Sequence, residues 1–229
     1  RYRQRGMNQA GPGIAERMEQ IHPFYVMQLL ARARELEREG RSIVHMEIGE
    51  PDFVTPEPII QAAHQALEAG RTHYTPALGL RELRHSIAGH YRDRFGVAVD
   101  PQRVIVTPGA SGALQLVTGV LINPGDRVLM ADPGYPCNRN FVRLAGGEPV
   151  GVPVGPETGY QLTAELADAA WSEGVRALLV ASPSNPTGTL LAPGQLAKLA
   201  RLAAERGALL IVDEIYQGLV YEIEPHTAL

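Results

Sequence analysis

The sequence predicts an α/β fold, with a mostly parallel sheet covered by helices on both faces. Helical and strand patterns alternate along most of the chain. The strand segments are short apolar runs without polar interruption, which is typical of strands buried on both faces of a sheet. At 229 residues and 45% hydrophobic content, the chain is long enough to bury a substantial core. These observations together predict a three-layer α/β/α arrangement.

The pattern divides the chain into three regions. Residues 1–19 open with a short basic stretch, and we expect them to be a flexible N-terminus, possible vector residues included. Residues 20–73 contain a helix, an extended turn and a second helix, which indicates an N-terminal arm. Residues 74–229 carry the alternating pattern of the main domain.

The second helix of the arm has clear start and stop signals. Thr55 is a favourable N-cap, Pro56 suits the first helical position, and Glu57 places an acid in the first turn. Gly70 is a typical residue for the end of a helix. These signals predict a helix from Thr55 to Gly70.

The remaining elements follow in alternation. A helix is predicted after Gly79, because Leu80, Leu83, Ile87 and Tyr91 recur at helical spacing. Apolar runs predict strands at Arg103–Thr107, Arg127–Ala131, Val175–Ala181 and Ala208–Asp213. The segments between them predict helices, among them Ala113–Leu121, Ala164–Ser172 and Gln195–Arg206.

Charge and composition point away from several classes of function. The net charge is −4 with no long charged block, so nothing indicates a nucleic-acid or membrane partner. No apolar run approaches the ~20 residues of a membrane span. The single cysteine, Cys137, excludes an intrachain disulfide and suits a reducing cytoplasm, which is the expected location. The histidines are scattered and no cysteine pair occurs, so no metal site is predicted.

Small residues follow the first predicted strand of the main domain. Gly109, Ala110 and Ser111 form a strand-to-helix turn whose backbone N–H groups can approach an anion, and the helix dipole favours negative charge there. The alternative interpretation is a tight turn without a ligand. In open α/β sheets, ligands bind outside the carboxyl ends of the strands, where this turn lies.

The other strand ends carry an aromatic ring, an amide and a carboxylate. Tyr135 lies between two prolines, as a rigid stacking platform or as simple surface packing. Asn185 is held by neighbouring prolines and a glycine, as a directed amide or an ordinary turn. Asp213 follows five apolar residues, so its partly desolvated carboxylate needs a partner. That partner is a protonated ring nitrogen, an arginine or a helix cap.

Six short motifs occur in order between about Gln20 and Leu229. They are Gly49-Glu50-Pro51-Asp52, Tyr74-Thr75-Pro76 with Gly79-Leu80-Arg81-Glu82-Leu83-Arg84, the turn 109–114, Pro133-Gly134-Tyr135-Pro136, Ser184-Asn185-Pro186-Thr187-Gly188 and Asp213-Glu214-Ile215-Tyr216. In this combination the chain resembles class I/II aminotransferases, which are fold-type I enzymes that depend on pyridoxal 5′-phosphate (PLP). The resemblance implies that residues 20–73 are the N-terminal arm and a segment of the small domain. It also implies that residues 74–229 are the PLP-binding large domain, incomplete at its C-terminal end.

The resemblance implies a role for each strand-end residue. Gly109, Ala110 and Ser111 would bind the cofactor phosphate, and Tyr135 would stack on the pyridine ring. Asn185 and Tyr216 would hydrogen-bond its phenolic oxygen. Asp213, the main catalytic candidate beside Tyr216, would keep the ring nitrogen protonated, so that the ring can accept electrons.

Two further residues gain roles only from the resemblance. Gly49 would line the site of the substrate carboxylate. Tyr74 would reach the phosphate bound by a neighbouring subunit, which implies a homodimer with shared active sites.

The Schiff-base lysine of the family is not found in this sequence. In the family it follows the Asp-Glu-Ile-Tyr segment, and the chain reaches Leu229 without it. The single lysine, Lys198, is predicted on the solvated face of its helix. The opposite face carries Leu196, Leu199, Ala200 and Ala203. We therefore expect the chain to be the first part of a longer enzyme and to be inactive alone.

The expected activity is amino-group transfer between an amino acid and a 2-oxo acid, a reaction of amino acid metabolism and biosynthesis. Two alternatives remain open from the sequence. A PLP-dependent carbon–sulfur lyase of the same fold would need no oxo acid. A non-catalytic PLP-binding regulatory module would have no turnover.

Overall fold

The computed structural model describes residues 13–51, 53–221, 223–224 and 226–229. Most of the predicted flexible N-terminus and Asp52 of the first motif lie outside these ranges. A parallel four-stranded sheet is central, with strand order β2-β1-β3-β4. The strands are β1 Arg127–Asp132, β2 Glu148–Pro153, β3 Val175–Ala181 and β4 Leu209–Asp213.

Helices precede, connect and cover these strands. They are α1 Tyr25–Arg38, α2 Glu57–Glu68, α3 Arg81–Phe95, α4 Gly109–Leu121, α5 Pro136–Leu144, α6 Ala164–Ala169 and α7 Pro193–Glu205. Short 3-10 helices lie at Glu16–Gln20, Pro101–Arg103 and Pro156–Thr158. Among the described residues, no helix has both the length and the hydrophobicity needed to cross a membrane.

The core lies on both faces of the sheet, which explains the uninterrupted apolar runs. Along β1, Val128 and Leu129 are both buried but belong to opposite clusters, because successive strand side chains point to opposite faces. Leu199 of α7 packs into the cluster of Leu129, and Val142 of α5 into that of Val128. Burying each such side chain contributes about 1.5–3 kcal/mol to stability. The predicted three-layer α/β/α arrangement is confirmed.

One predicted strand is absent from the described residues, and one observed strand was not predicted. Residues 103–107, predicted as a strand, form none: Val106 N–H donates to Leu78 O at 3.0 Å, and no described segment pairs along them as a ladder. The edge strand β2 was not predicted, because Pro149, Gly151 and Pro153 interrupt its pattern. Prolines are tolerated there because β2 is an edge strand of the described sheet, where it pairs with β1.

The predicted helices are present with ends shifted by a few residues. Glu57 rather than Pro56 begins α2, and Gly70, with φ +66°, follows its C-terminal end as predicted. On α7, Ala200 is exposed, and Leu202 completes the buried face in its place. The other three predicted residues of this face, Leu196, Leu199 and Ala203, are buried as predicted.

The segment before α1 packs against α5. Arg143 Nη1 donates to Gln20 O at 2.6 Å, and Asn140 Nδ2 donates to His22 O at 3.3 Å. Phe24, just before α1, presents an edge-to-face contact to Tyr135, with ring centroids 6.1 Å apart. This segment thus reaches the strand-end region. The boundaries at residues 19 and 73 stay predictions.

Candidate active site

A cavity of about 270 Å³, here called the strand-end cavity, opens at the carboxyl ends of the sheet. It is lined by Pro108, Gly109, Ala110, Ser111, Leu114, Tyr135, Ala181, Pro183, Asn185, Asp213, Ile215 and Tyr216. Seven of the nine predicted site residues are in this lining. The carboxyl ends of the parallel strands bring Tyr135, Asn185, Asp213 and Tyr216 to one edge of the sheet. Gly109, Ala110 and Ser111 join them from the N-terminus of α4, which no described strand directly precedes.

The N-terminus of α4 forms one wall. The first backbone N–H groups of a helix have no intrahelical acceptor, and the helix dipole favours an anion there. Gly109 N–H is already used, since it donates to Thr107 O at 2.8 Å. The N–H groups of Ala110 and Ser111 follow it in the first turn. Gly109 has φ +75°, in the left-handed region that favours glycine.

Tyr135 forms a second wall and is the N-cap residue of α5. Hydrogen bonding with the Cys137 thiol, together with partial burial, raises the pKa of Tyr135 to about 12. The Tyr135 phenol therefore stays neutral over the physiological pH range. Its ring is fixed on one side by the edge contact with Phe24.

The loop after β3 holds Asn185 at the cavity. Ser184 N–H donates to Thr189 O at 2.9 Å, and Gly188 N–H donates to Ser184 O at 2.8 Å. These two bonds close the loop upon itself, and Gly188 takes a left-handed φ of +68°. A loop closed in this way keeps the direction of the Asn185 amide defined.

The end of β4 supplies the carboxylate. Asp213 is half-buried and pairs in register with Ala181 of β3. Its Oδ1 accepts a hydrogen bond from Ile215 N–H at 3.1 Å. Among the described residues, no ion pair includes Asp213, so the arginine alternative is not realised there. The carboxylate retains capacity for a cationic hydrogen-bond donor in the cavity.

This donor set fits PLP. A helix N-terminus suits its phosphate, an aromatic face suits its ring, and an amide and a phenol suit its ring oxygen. A carboxylate without an ion-pair partner among the described residues suits a protonated ring nitrogen. The cavity is partly apolar, through Leu114 and Ile215, as is usual for sites of flat ligands.

Two predicted site residues lie away from the cavity. Tyr74 is fully exposed, and Gly49 is exposed on the segment that follows α1. Neither is part of the cavity lining. The single chain does not bring these two residues together with the other seven. Their roles therefore stay predictions.

Lys198 is also remote, as predicted. It lies on the exposed face of α7 and forms an ion pair with Glu165 of α6, Nζ to Oε1 at 2.8 Å. The hydrogen bond from Lys198 lowers the pKa of Glu165 to about 2. The prediction of a solvated surface lysine is confirmed.

Sequence reasoning missed one residue that supports the site. Gln161 is buried, and its Nε2 donates to Thr189 O at 2.8 Å and Ala181 O at 3.3 Å. It therefore holds together the two ends of the loop that carries Asn185. No motif distinguishes this glutamine in the sequence, since its partners are distant along the chain.

Comparison with known proteins identifies relatives of this arrangement. The family model described as aminotransferase class I and II matches residues 41–228. A valine–pyruvate aminotransferase of Mycobacterium tuberculosis is 42% identical over 208 residues, which are 91% of this chain and 53% of that protein. An aspartate/prephenate aminotransferase of Thermus thermophilus is 39% identical over 212 residues, 93% of this chain and 55% of that protein.

Solved structures agree with this assignment. The aspartate aminotransferase from Thermus thermophilus with maleate superimposes with a TM-score of 0.90 at 38% identity, over 95% of this chain and 57% of that one. An aminotransferase from Mycobacterium tuberculosis gives 0.89 at 41% identity, over 95% and 56%. The chain spans about half the length of the relatives it matches. The fold, the strand-end cavity and these matches together place the chain in the aminotransferase class I and II family, whose members depend on PLP.

Proposed function

We propose that the protein to which this chain belongs transfers an amino group between an amino acid and a 2-oxo acid, with PLP in the strand-end cavity. The observation that carries the proposal is the convergence of seven residues of complementary chemistry on one cavity. Relatives named as aminotransferases at 39–42% identity support it.

Each wall has a defined task in this proposal. The Ala110 and Ser111 N–H groups hold the phosphate at the start of α4. Tyr135 covers one face of the ring, and Asn185 with Tyr216 orients its phenolic oxygen. When bound, PLP supplies an electron-accepting ring that stabilises negative charge at the substrate carbon. Asp213 maintains that capacity by keeping a proton on the ring nitrogen.

Proton transfer at the substrate carbon needs an amine base, and the lining of the strand-end cavity includes no lysine among the described residues. Lys198, the single lysine, is held in its ion pair with Glu165 on the exposed face of α7. We therefore assign the covalent attachment and the proton transfer to a lysine outside this sequence. The chain supplies the noncovalent part of the cofactor site.

The proposed assembly is a homodimer with shared active sites. Tyr74 is fully exposed, so its hydroxyl is available to a neighbouring subunit. Val44, Met46 and Phe53, in the segment between α1 and α2, are each more than 80% exposed and provide apolar surface that association would cover. A cytoplasmic role in amino acid metabolism and biosynthesis completes the proposal, and the single cysteine suits that compartment.

The test is a coupled assay of the full-length protein with PLP, an amino acid donor and a 2-oxo acid acceptor. We expect product amino acid to form only when both substrates are present. Turnover of the donor without any oxo acid would instead indicate a lyase. Stoichiometric PLP binding without turnover of any donor would indicate a regulatory module. Either of these two results contradicts the proposal.

A further inference from the structure

A second, much smaller cavity, here called the rear cavity, shares Tyr135 in its lining with the strand-end cavity. This rear cavity has a volume of about 20 Å³ and is lined by Tyr135, Asn138, Gln161 and Ser184, together with residues of β1 and β3. Tyr135 and Ala181 line both cavities. The rear cavity therefore adjoins the wall that carries the aromatic platform.

Asn138 brings a polar atom into this buried place. The residue is 7% exposed, and its Oδ1 has no hydrogen-bond partner among the residues that the structure describes. Buried polar atoms in folded proteins are nearly always paired with protein groups or with ordered water. Since Asn138 also lines the rear cavity, a small donor inside that cavity is a candidate partner for this acceptor oxygen.

The size and chemistry of the rear cavity match one water molecule. A water needs about 10–15 Å³ of this kind of volume and at least two polar partners. The available volume of about 20 Å³ is sufficient for one water. Beside Asn138, the side chains of Gln161 and Ser184 offer further polar partners.

We propose that the rear cavity binds a single ordered water, which donates a hydrogen bond to Asn138 Oδ1 and bonds to Gln161 or Ser184. This water connects two parts of the strand-end cavity wall. On one side, Asn138 N–H donates to Tyr135 O at 3.1 Å, so Asn138 belongs to the turn that carries the aromatic platform. On the other side, Gln161 Nε2 and Ser184 N–H both donate to Thr189 O, at the neck of the Asn185 loop.

The water thus completes a polar network between the Tyr135 turn and the Asn185 loop. Asn138 is a positioning residue in this network, since it lines the rear cavity and not the strand-end cavity. The ordered water is expected whichever reaction the enzyme performs, because it depends only on the residues that line the rear cavity.

The direct test is a crystal structure of the wild-type protein at a resolution that defines ordered water. We expect one density peak in the rear cavity, within hydrogen-bonding distance of the Asn138 side chain and of Gln161 or Ser184. An empty rear cavity, or a protein donor bonded directly to Asn138 Oδ1, would overturn the proposal.

A pair of variants on α5 tests the connection between the two walls. Asn138→Leu conserves volume approximately but removes the acceptor, and we expect amide hydrogen exchange at residues 184–189 to quicken about fivefold, the effect of one lost hydrogen bond. Asn140→Leu is the matched control, because Asn140 bonds to His22 O outside the rear cavity. Exchange in the loop should stay at the wild-type rate in that control. Equal loop exchange in wild type and Asn138→Leu would contradict a connecting water, as would equal acceleration in both variants.

Discussion

At the residue scale, Asp213 combines a polar group with an apolar setting. It ends a strand of apolar residues, and the Ile215 N–H occupies one carboxylate oxygen at 3.1 Å. Partial burial makes a lone carboxylate unfavourable, so a cationic partner in the cavity would be bound strongly. This environment makes Asp213 the first residue to substitute.

In the full-length enzyme, Asp213→Ala should slow amino transfer at least about a hundredfold, or ~2.7 kcal/mol of activation free energy. Without the anion, the ring nitrogen loses its proton and the ring accepts electrons less readily. Cofactor retention should weaken as well. The measurement is kcat with saturating substrates and PLP, supported by a PLP dissociation assay.

Asp132→Ala is the matched control for that substitution. Asp132 also ends a strand, but its Oδ2 pairs with Arg139 Nη2 at 2.7 Å and the residue is not part of the strand-end cavity lining. Such exposed ion pairs contribute only ~0–1 kcal/mol to stability, so near wild-type turnover is expected. Wild-type turnover in Asp213→Ala, or equal losses in both variants, would show that Asp213 has no special role.

Tyr135 gives a second prediction at the residue scale. The hydrogen bond with Cys137 is the first cause of the rise of the Tyr135 pKa to about 12. Cys137→Ala should therefore lower that pKa toward the usual value of ~10. The tyrosinate absorbance titration of Tyr135 is isolated by subtracting the titration of Tyr135→Phe. An unchanged Tyr135 titration in Cys137→Ala would exclude the thiol as the cause.

At the element scale, strand burial decides which predictions succeeded. Val175–Ala181 was predicted with its observed bounds, because a strand buried on both faces shows a continuous apolar run. The edge strand β2 was missed, since pairing on one side admits proline and glycine. Residues 103–107 have the apolar run without a pairing partner among the described residues. A local apolar run indicates that a segment is buried, but it does not indicate whether another strand pairs with it.

A histidine clamp joins α1 to the extended segment that follows it. His45 Nδ1 lies 2.7 Å from Glu47 Oε1, and His45 Nε2 lies 2.9 Å from Glu37 Oε1 of α1. The hydrogen bonds with Glu47 and then Glu37 raise the pKa of His45 above its usual value of 6.5. The protonated imidazole can donate to both carboxylates at once.

The clamp should make stability depend on pH in a defined direction. A raised folded-state pKa stabilises the fold below the unfolded-state value of ~6.5, and this contribution is lost as pH rises through the folded-state pKa. Urea unfolding at about pH 6 and about pH 8 measures it. We expect His45→Gln to lose stability relative to wild type at the lower pH and to approach wild type at the higher pH.

The control for the clamp is His64→Gln, which removes an exposed histidine of α2. Its difference from wild type should not follow the pH pattern of His45→Gln. A His45→Gln difference that is the same at both pH values would mean that the clamp does not titrate in this range.

At the scale of the whole molecule, the sequence predicted the composition of the strand-end cavity better than its surroundings. Tyr135, Asn185 and Asp213 come together because strand order and parallel direction place their strand ends at one edge, and Gly109 joins them from the N-terminus of α4. Gln161 and Asn138 could not be predicted, since their roles depend on contacts across the chain and on a void between elements. The catalytic tasks of the lining residues stay predictions.

The position of the single lysine gives a prediction for the 229-residue chain itself. Lys198 is paired with Glu165 on the outside of the α6–α7 layer, so it should form no stoichiometric adduct with PLP and support no transamination. Borohydride treatment followed by peptide mapping makes the measurement. Lys198→Arg, which keeps the charge but removes the amine, should behave like the unmodified sequence. A full-occupancy adduct on Lys198 with turnover would refute this prediction.

The central claim, that the strand-end cavity is the PLP site, is tested most directly by a crystal structure of the protein with PLP bound. We expect the phosphate at the first turn of α4, beside Ala110 and Ser111, and the ring against Tyr135 with its nitrogen within hydrogen-bonding distance of Asp213. PLP bound elsewhere on the chain, or bound in the cavity with its ring nitrogen away from Asp213 and its phosphate away from α4, would contradict the account.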